Sequence, residues 1–186
     1  MIGAGQDPGL VETKNMALQY LIPTELETDR LLLRMFKQPD WKDIHEYYGD
    51  ASCATYTSGK ALTEHETWQK MASVLGHWQL RNYGSYAIHE KKLNRVIGIG
   101  GLDYPSDWPE PEIQWGLAKQ FWGKGYASEA ITAVKKMAKQ YVPHISLISL
   151  IHPDNSNSSN LAKAVGAKFE KEFFFRNGIW HIYRHE

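Results

Sequence analysis

The 186-residue chain lacks the features that mark several large classes of protein. Its single cysteine, Cys53, cannot form an internal disulfide or a cysteine-rich metal site, which favours a reducing, cytoplasmic location. No apolar run approaches the roughly 20 residues of a membrane-spanning helix, and the N-terminus lacks the basic-then-apolar order of a signal peptide. We therefore expect a cytoplasmic protein that has no membrane partner.

An excess of charge is missing as well. The 21 Lys and Arg residues balance the 21 Asp and Glu residues, whereas a surface that binds nucleic acid through its phosphates is basic. This balance argues against a nucleic-acid partner. Apolar residues make up 42% of the chain and aromatic residues 12%, a composition that excludes a disordered chain and suits one domain with a real core.

The first residues differ from the rest of the chain. Residues 1–22 mix Gly, Pro and polar residues, and we interpret them as a flexible N-terminal extension. Nothing later resembles an interdomain linker, so residues 23–186 are predicted to form one domain.

Within that domain, apolar periodicity and turn residues predict seven strands and four helices in the order β, α, α, β, β, β, α, β, α, β, β. Asp40 is expected to cap the first helix and the pair Thr63 and Glu66 the second, which would end at Gly84. Asn177-Gly178 is predicted to turn the last hairpin. Hairpins and crossovers together indicate an α/β fold with a mixed sheet.

The most informative segment joins a predicted strand, Glu112–Leu117, to the third helix through Gly123-Lys124-Gly125. The first N–H groups of a helix lack partners within it, so a strand, a glycine turn and a helix start together can bind a pyrophosphate. The spacing fits neither a P-loop nor the three-glycine Rossmann pattern. As a bare pattern, Q-x-x-G-x-G leaves a plain tight turn and a phosphate site equally open.

Three motifs in one order resolve this choice. Gln120-Phe-Trp-Gly-Lys-Gly125 resembles the acyl-coenzyme A loop of the GNAT superfamily of N-acetyltransferases. His152-Pro-Asp-Asn-Ser-Asn-Ser158, followed by Leu161-Ala-Lys-Ala-Val-Gly166, resembles that family's later cofactor segment and closing helix. The opening Leu26–Arg34 is similar to the branch of ribosomal-protein N-terminal (RimJ/RimL-like) acetyltransferases, and the whole resemblance covers about residues 25–184.

This resemblance implies a mixed, mostly antiparallel, splayed sheet of six to seven strands flanked by about four helices. It also implies acetyl-CoA as cofactor, and an acetyl group passed directly to a primary amine of a peptide or small molecule in a ternary complex. The alternative is a coenzyme A-binding module that has lost catalysis. The cofactor residues carried over from the family are Leu117, Ala118, Lys119, Gln120, Gly123, Lys124, Gly125, Tyr126, Ala127, Asn155 and Ser158.

Proton transfer is assigned to two residues. Glu112 stands where the family often places a carboxylate that accepts the amine proton, directly or through one water; a solvated strand-edge residue is the other interpretation. Many family members carry a tyrosine acid where this chain has Ala162. Ser158 is then the candidate acid, with contact to the cofactor alone as the alternative, and Tyr126 and Tyr183 are weaker candidates.

The acceptor pocket is expected to be walled by aromatic side chains. The loop Asp103–Glu112 carries four carboxylates, which either attract a cationic substrate or are merely solvated, the interpretation we favour. The spacing of the histidines does not match a zinc motif, so no metal is expected. A monomer and a homodimer both stay open. The candidate pocket residues are Tyr56, Trp68, Trp108 and Trp180.

Overall fold

The computed structural model describes residues 20–186, which form one open eight-stranded sheet flanked by helices. The strands are β1 (Glu25–Glu27), β2 (Leu31–Arg34), β3 (Ser85–Glu90), β4 (Arg95–Asp103), β5 (Glu112–Leu117), β6 (Leu147–Ile151), β7 (Lys168–Phe175) and β8 (Gly178–His185). The helices are α1 (Trp41–Tyr48), α2 (Ala51–Ala54), α3 (Glu64–Arg81), α4 (Tyr126–Tyr141) and α5 (Ser156–Ala164).

The predicted order is confirmed, and the structure adds β1 and α2 to it. Both are too short, at three and four residues, to produce a periodic pattern. β1 is defined by its antiparallel pairing with β2. α2 is stabilised by Asp50, whose carboxylate accepts from the N–H groups of Ser52 and Cys53 at 2.7 and 3.2 Å. Local hydrogen bonding of this kind satisfies donors that a short helix leaves open.

Two predicted helix boundaries differ in the structure. The Asp40 carboxylate makes no capping hydrogen bond to α1; it binds the Arg34 guanidinium at 2.7 and 3.0 Å and accepts from the Lys37 N–H at the start of a short 3-10 helix, Gln38–Asp40. α3 ends before Asn82, which takes the left-handed conformation at φ 61°, and not at Gly84. The capping box that begins α3, formed by Thr63 and Glu66, is confirmed.

The last hairpin turns one residue earlier than predicted. Phe175 pairs with Gly178, and the two left-handed residues between them are Arg176 and Asn177. A two-residue turn of this type requires positive φ at both central positions. Asn177 therefore occupies the second central position of the turn, whereas the sequence had predicted it at the first.

The sheet order is β1-β2-β3-β4-β5-β6-β8-β7, antiparallel throughout except where β5 runs parallel to β6. That parallel pair has only one register contact, Glu112 with Ile148, and the strands diverge beyond it. The Ser149 hydroxyl donates to the Ile113 carbonyl at 2.6 Å and closes the narrow end. The sheet is therefore continuous but splayed at β5 and β6, as expected from the sequence.

The N-terminal boundary lies slightly earlier than the sequence indicated. Ile22 is buried in the main core, and the ring of Tyr20 packs edge-on against Trp78 at 5.3 Å between centroids. The remainder of the predicted extension lies outside the described residues.

Candidate active site

A cavity of about 500 Å³ opens where β5 and β6 diverge. Its wall combines α1, α2, the end of β5, the segment before α4 and the start of α5. Nine of the predicted site residues line it: Tyr56, Leu117, Lys119, Gly123, Gly125, Tyr126, Ala127, Asn155 and Ser158. Segments more than a hundred residues apart in sequence thus share one concave surface, which is the usual form of a small-molecule site.

The segment before α4 presents a row of N–H donors to this cavity. Within residues 20–186, no carbonyl or side chain accepts from the N–H groups of residues 123–128. Gly123 and Gly125 have φ angles of 71° and 77°, a conformation that glycine adopts without steric cost. Six consecutive unpaired donors at the positive end of a sixteen-residue helix are an arrangement that can bind an anion.

The residues between β5 and this loop are partly occupied by contacts within the protein. The Ala118 N–H donates to the Ile97 carbonyl at 3.0 Å, so it points to β4 and away from the cavity. The Leu117 carbonyl faces the gap but already accepts from the Trp122 indole at 2.7 Å. Lys119 Nζ donates to Ser52. Fewer polar groups of Leu117, Ala118 and Lys119 are therefore available to a cofactor than the sequence resemblance implied.

Gln120 and Lys124 point elsewhere than into the cavity. The Gln120 amide donates to the Glu46 carboxylate on α1. The Lys124 side chain is exposed, and its ammonium lies 5.6 Å from the centroid of the Phe121 ring. Lys124 therefore contributes to the loop through its backbone.

Asn155 and Ser158 meet at the start of α5. The Asn155 side-chain oxygen accepts from the Ser158 N–H at 3.1 Å, which makes Asn155 the cap of this helix. Both side chains line the cavity, and no hydrogen bond within residues 20–186 uses the Ser158 hydroxyl. Ala162, one turn further on, is fully buried against Ile151 and Tyr183.

Glu112 lies at the narrow end of the splay and is 6% exposed. It is not among the residues that line the cavity. One carboxylate oxygen accepts from the Leu150 N–H at 3.4 Å. Burial first, and the neighbouring charge of Asp103 second, raise the pKa of Glu112 to about 8, against smaller opposing effects of Leu150, Trp108 and Lys70. Glu112 is therefore buried in the fold and not solvated at a strand edge.

Asp103 is the direct cross-strand partner of Glu112. Its carboxylate accepts from the Gln114 amide at 3.1 Å and from the Tyr104 N–H at 3.2 Å, and His77 Nε2 lies 3.3 Å away. Burial raises the pKa of Asp103, opposed in part by His77 and Lys70. The sequence analysis did not identify this carboxyl pair, because only the β4–β5 register brings the two side chains together.

The four candidate aromatic residues separate into three places. Tyr56 lines the cavity and stacks on His152 at 5.2 Å, and Trp180 meets the other edge of His152 at 5.7 Å. Trp108 packs on Phe175 beside the hairpin of β7 and β8, and its indole N–H makes no hydrogen bond within residues 20–186. Trp68 is 46% exposed on α3. The structure thus brings only Tyr56 into the cavity wall.

The carboxylates of the loop before β5 are neither free nor simply solvated. Asp107 forms an ion pair with Arg176 at 2.6 Å, and Glu110 binds Arg184 through two oxygens at 2.6 and 2.9 Å. The other two are Asp103, whose side chain is 16% exposed and lies beside His77, and the buried Glu112. Every carboxylate of this loop is therefore ion-paired or largely shielded from solvent, which corrects both interpretations of the sequence.

Several cavity residues were missing from the sequence prediction. Cys53 lines the wall, donates to the Leu117 carbonyl at 3.7 Å, and has a pKa that burial raises to about 11. The positions of these residues depend on which helix packs against the splay, and that is decided by the tertiary structure. The additional lining residues are Tyr47, Ser52, Cys53, Thr57, Trp115, Gly116, Phe121, Trp122, Ser128, Asn157 and Leu161.

Residues 20–186 contain neither a metal-binding cluster nor a membrane-spanning helix. No group of three or more His, Cys, Asp and Glu side chains in this part of the chain could hold a metal ion. None of its helices is both long enough and apolar enough to cross a membrane.

Known proteins resemble this chain in sequence and in structure. The sequence profile described as an acetyltransferase (GNAT) domain matches residues 30–168. The uncharacterized N-acetyltransferase p20 of Bacillus licheniformis is 25% identical over 154 residues, covering 82% of this chain and 85% of the relative. YnaD of Bacillus subtilis, an uncharacterized N-acetyltransferase, is 26% identical over 155 residues, with coverage of 83% and 87%.

Solved structures share the same fold. The acetyltransferase from Agrobacterium tumefaciens superposes with a TM-score of 0.78 at 25% identity, covering 89% of this chain and 95% of that one. RimL, a ribosomal-protein α-N-acetyltransferase solved in complex with coenzyme A, superposes with a TM-score of 0.70 at 17% identity, with coverage of 88% and 96%.

Proposed function

Because the chain belongs to the GNAT family of acetyltransferases, which use acetyl-CoA, we propose that it transfers the acetyl group to the α-amine of a peptide, by direct attack in a ternary complex. One observation carries the cofactor part of the proposal. Six consecutive unpaired N–H groups, those of residues 123–128, border a cavity of about 500 Å³. A diphosphate satisfies such donors without any excess of lysine in the chain.

The cofactor is proposed to lie along the cavity with its diphosphate on the loop and its pantetheine arm in the splay. Gly123 to Ala127 would bind the diphosphate, and Asn155 and Ser158 would contact the arm from α5. When bound, acetyl-CoA supplies the thioester whose carbonyl the amine attacks. The hydrogen bond from Ser149 to Ile113 holds β5 and β6 together at the narrow end of the splay.

The choice of an α-amine comes from proton energetics. A lysine-like amine of pKa about 10.4 needs roughly 4–5 kcal/mol to become neutral at pH 7, whereas an α-amine near pKa 8 needs about 1 kcal/mol. A carboxylate with a pKa of about 8 can accept a proton from an α-amine of similar pKa, but it is a poor base for a lysine-like amine. Glu112 is proposed to accept the proton through water that enters the narrow end of the splay.

The surface around the acceptor side supports the same choice. Asp107 and Glu110 are paired with arginines, so no free carboxylate of this loop attracts a polycation. Tyr56 of the cavity wall stacks instead on His152, whose other edge meets Trp180. An aromatic surface of this kind suits a peptide segment better than a polyamine or an aminoglycoside.

Departure of the thiolate needs less help from the protein, because a thiolate whose conjugate acid has a pKa near 8.5 can leave without full protonation. Ser158 is the proposed hydroxyl donor for it. Ala162 supports the alternative, a coenzyme A-binding module with impaired catalysis, because it is fully buried beside Tyr183 and leaves no room there for a tyrosine acid.

An acetyl-CoA consumption assay across N-terminal peptides, polyamines and aminoglycosides tests the proposal. We expect turnover with at least one peptide α-amine and much less with the polycations. Glu112→Gln should lower kcat more than threefold, and Ser158→Ala should do so while its neighbour variant Ser159→Ala does not. Tight coenzyme A binding without turnover of any amine would favour the impaired module, and absence of acetyl-CoA binding would refute both.

A further inference from the structure

The turn between β1 and β2 is bonded directly to the first turn of α4. The Glu129 carboxylate accepts from the Thr28 hydroxyl at 2.6 Å, from the Arg30 N–H at 2.9 Å and from Arg30 Nε at 2.6 Å. Burial opposes ionisation, but these hydrogen bonds lower the pKa of Glu129 below its ordinary value. A charged Glu129 is therefore fixed at the helix end that faces the proposed diphosphate.

Arg30 reaches past Glu129 to three consecutive residues of the loop. Its Nη1 donates to the Lys124 carbonyl at 2.9 Å, and its guanidinium carbon stands 4.3 Å from the centroid of the Tyr126 ring. Its Nη2 would lie 3.4 Å from a Cβ placed on Gly125. One planar group therefore fixes the backbone that carries the unpaired N–H donors, and a fork with several donors suits this task better than a lysine.

Arg30 also corrects an electrostatic conflict. A carboxylate in the first turn of a helix suits the helix dipole but repels a diphosphate bound at the same end. The Arg30–Glu129 ion pair, at 2.6 Å, offsets that repulsion. The Arg30 side chain still keeps 40% of its surface exposed, and no hydrogen bond within residues 20–186 uses Nη2. That nitrogen retains a donor for a phosphate oxygen.

We propose that Arg30 is a positioning residue for the diphosphate of acetyl-CoA: it fixes the loop from Lys124 to Tyr126, neutralises Glu129 and donates from Nη2 to a phosphate oxygen. This inference rests on the proposed cofactor placement. The group that Arg30 would bind is a diphosphate ester, and the acetyl and amine ends of the site are not involved.

Lys91, which follows β3, provides a matched control because it holds the same turn from outside. Its ammonium donates to the Thr28 carbonyl at 2.6 Å and to the Glu27 carboxylate at 2.9 Å, and within residues 20–186 it makes no hydrogen bond to the loop before α4. Lys91→Gln removes a cation that holds the turn and leaves Arg30 and Glu129 in place. A merely structural role of the turn would affect both variants alike.

The experiment measures calorimetric binding of coenzyme A, and of pantetheine as the fragment without diphosphate, to the wild type, Arg30→Gln, Arg30→Lys and Lys91→Gln. We expect Arg30→Gln to weaken coenzyme A binding about tenfold or more, as for loss of hydrogen bonds to a charged group. Pantetheine binding should stay within twofold. Arg30→Lys should lie between, since its ammonium keeps the charge but cannot serve Glu129 and Lys124 together.

Coenzyme A affinity within threefold of the wild type in Arg30→Gln would overturn the inference, and so would equal losses for coenzyme A and pantetheine or an equal effect of Lys91→Gln. If Arg30→Gln does not fold, the ratio of coenzyme A to pantetheine affinity in Arg30→Lys decides by the same criteria. Failure of the proposed function is distinct, because the wild type would then either bind no coenzyme A or bind it without turnover of any amine.

Discussion

Replacing Asp103 with Asn tests how the protein sets the basicity of Glu112. The two carboxyls are direct cross-strand partners on β4 and β5, and both have raised pKa values. Asparagine keeps the size and shape of the side chain but removes its charge. Because burial is the larger cause of the shift at Glu112, the pKa should fall in the variant without returning to the ordinary value.

The size of the change follows from the spacing of the strands. Side chains directly opposite each other lie about 5 Å apart, and at an effective dielectric constant of about 20 two unit charges repel by about 3 kcal/mol. That corresponds to about 2 pKa units, an upper limit because burial, and not the charge of Asp103, is the larger cause of the shift at Glu112. We expect the pKa of Glu112 to fall from about 8 to between about 6 and 7.

Two measurements check this shift. In the acetyl-transfer assay, the rate rises with pH as the base loses its proton, so the inflection of kcat should move to lower pH in Asp103→Asn. A carboxyl-carbon NMR titration, assigned by its loss in Glu112→Gln, reads the same pKa without needing an acceptor. An unchanged NMR titration would refute the coupling between the two carboxyls. A shifted titration with an unchanged kcat profile would refute Glu112 as the base.

Three further outcomes are expected. Because the pKa of Glu112 is raised in the folded protein, the wild type should lose stability as pH rises from about 4.5 to about 8. The melting temperature of Glu112→Gln should therefore exceed that of the wild type by a margin that grows over this range. If the two proteins show the same pH dependence, Glu112 does not ionise in a buried site. Gly125→Ala, at φ 77°, should weaken coenzyme A binding, whereas Gly166→Ala, at φ 81° and away from the loop, should reduce thermal stability alone. Gly116→Ala would place a methyl group 2.2 Å from the Tyr47 ring and should cost about 1–3 kcal/mol in denaturant unfolding; a neutral effect would mean that α1 shifts freely.

Much of the fold could be predicted from local pattern. The strand Glu112–Leu117 has the predicted bounds, and the box of Thr63 and Glu66 begins α3 as expected. These features depend on residues within a few positions of one another. β1 was missed because three residues make a strand only when a partner is present.

The candidate site divides in the same way. The glycines at 123 and 125 and the start of α4 are local, so the sequence could predict the glycine turn and the helix start that follows it. The positions of Trp68, exposed on α3, and of Trp108, packed on Phe175, depend on how distant elements meet. Composition predicted aromatic walls, but it could not indicate which rings reach the cavity.

The sequence by itself determined the order of the elements, the family resemblance and the donor loop, because each of these is encoded within a short segment. Only the tertiary structure decided which charged side chains are buried and which are paired. Strand register buries Glu112 against Asp103, ion pairs neutralise Asp107 and Glu110, and Arg30 meets Glu129 across 99 positions of the chain. Electrostatic effects depend on distance and burial, and neither is a property of the chain before it folds.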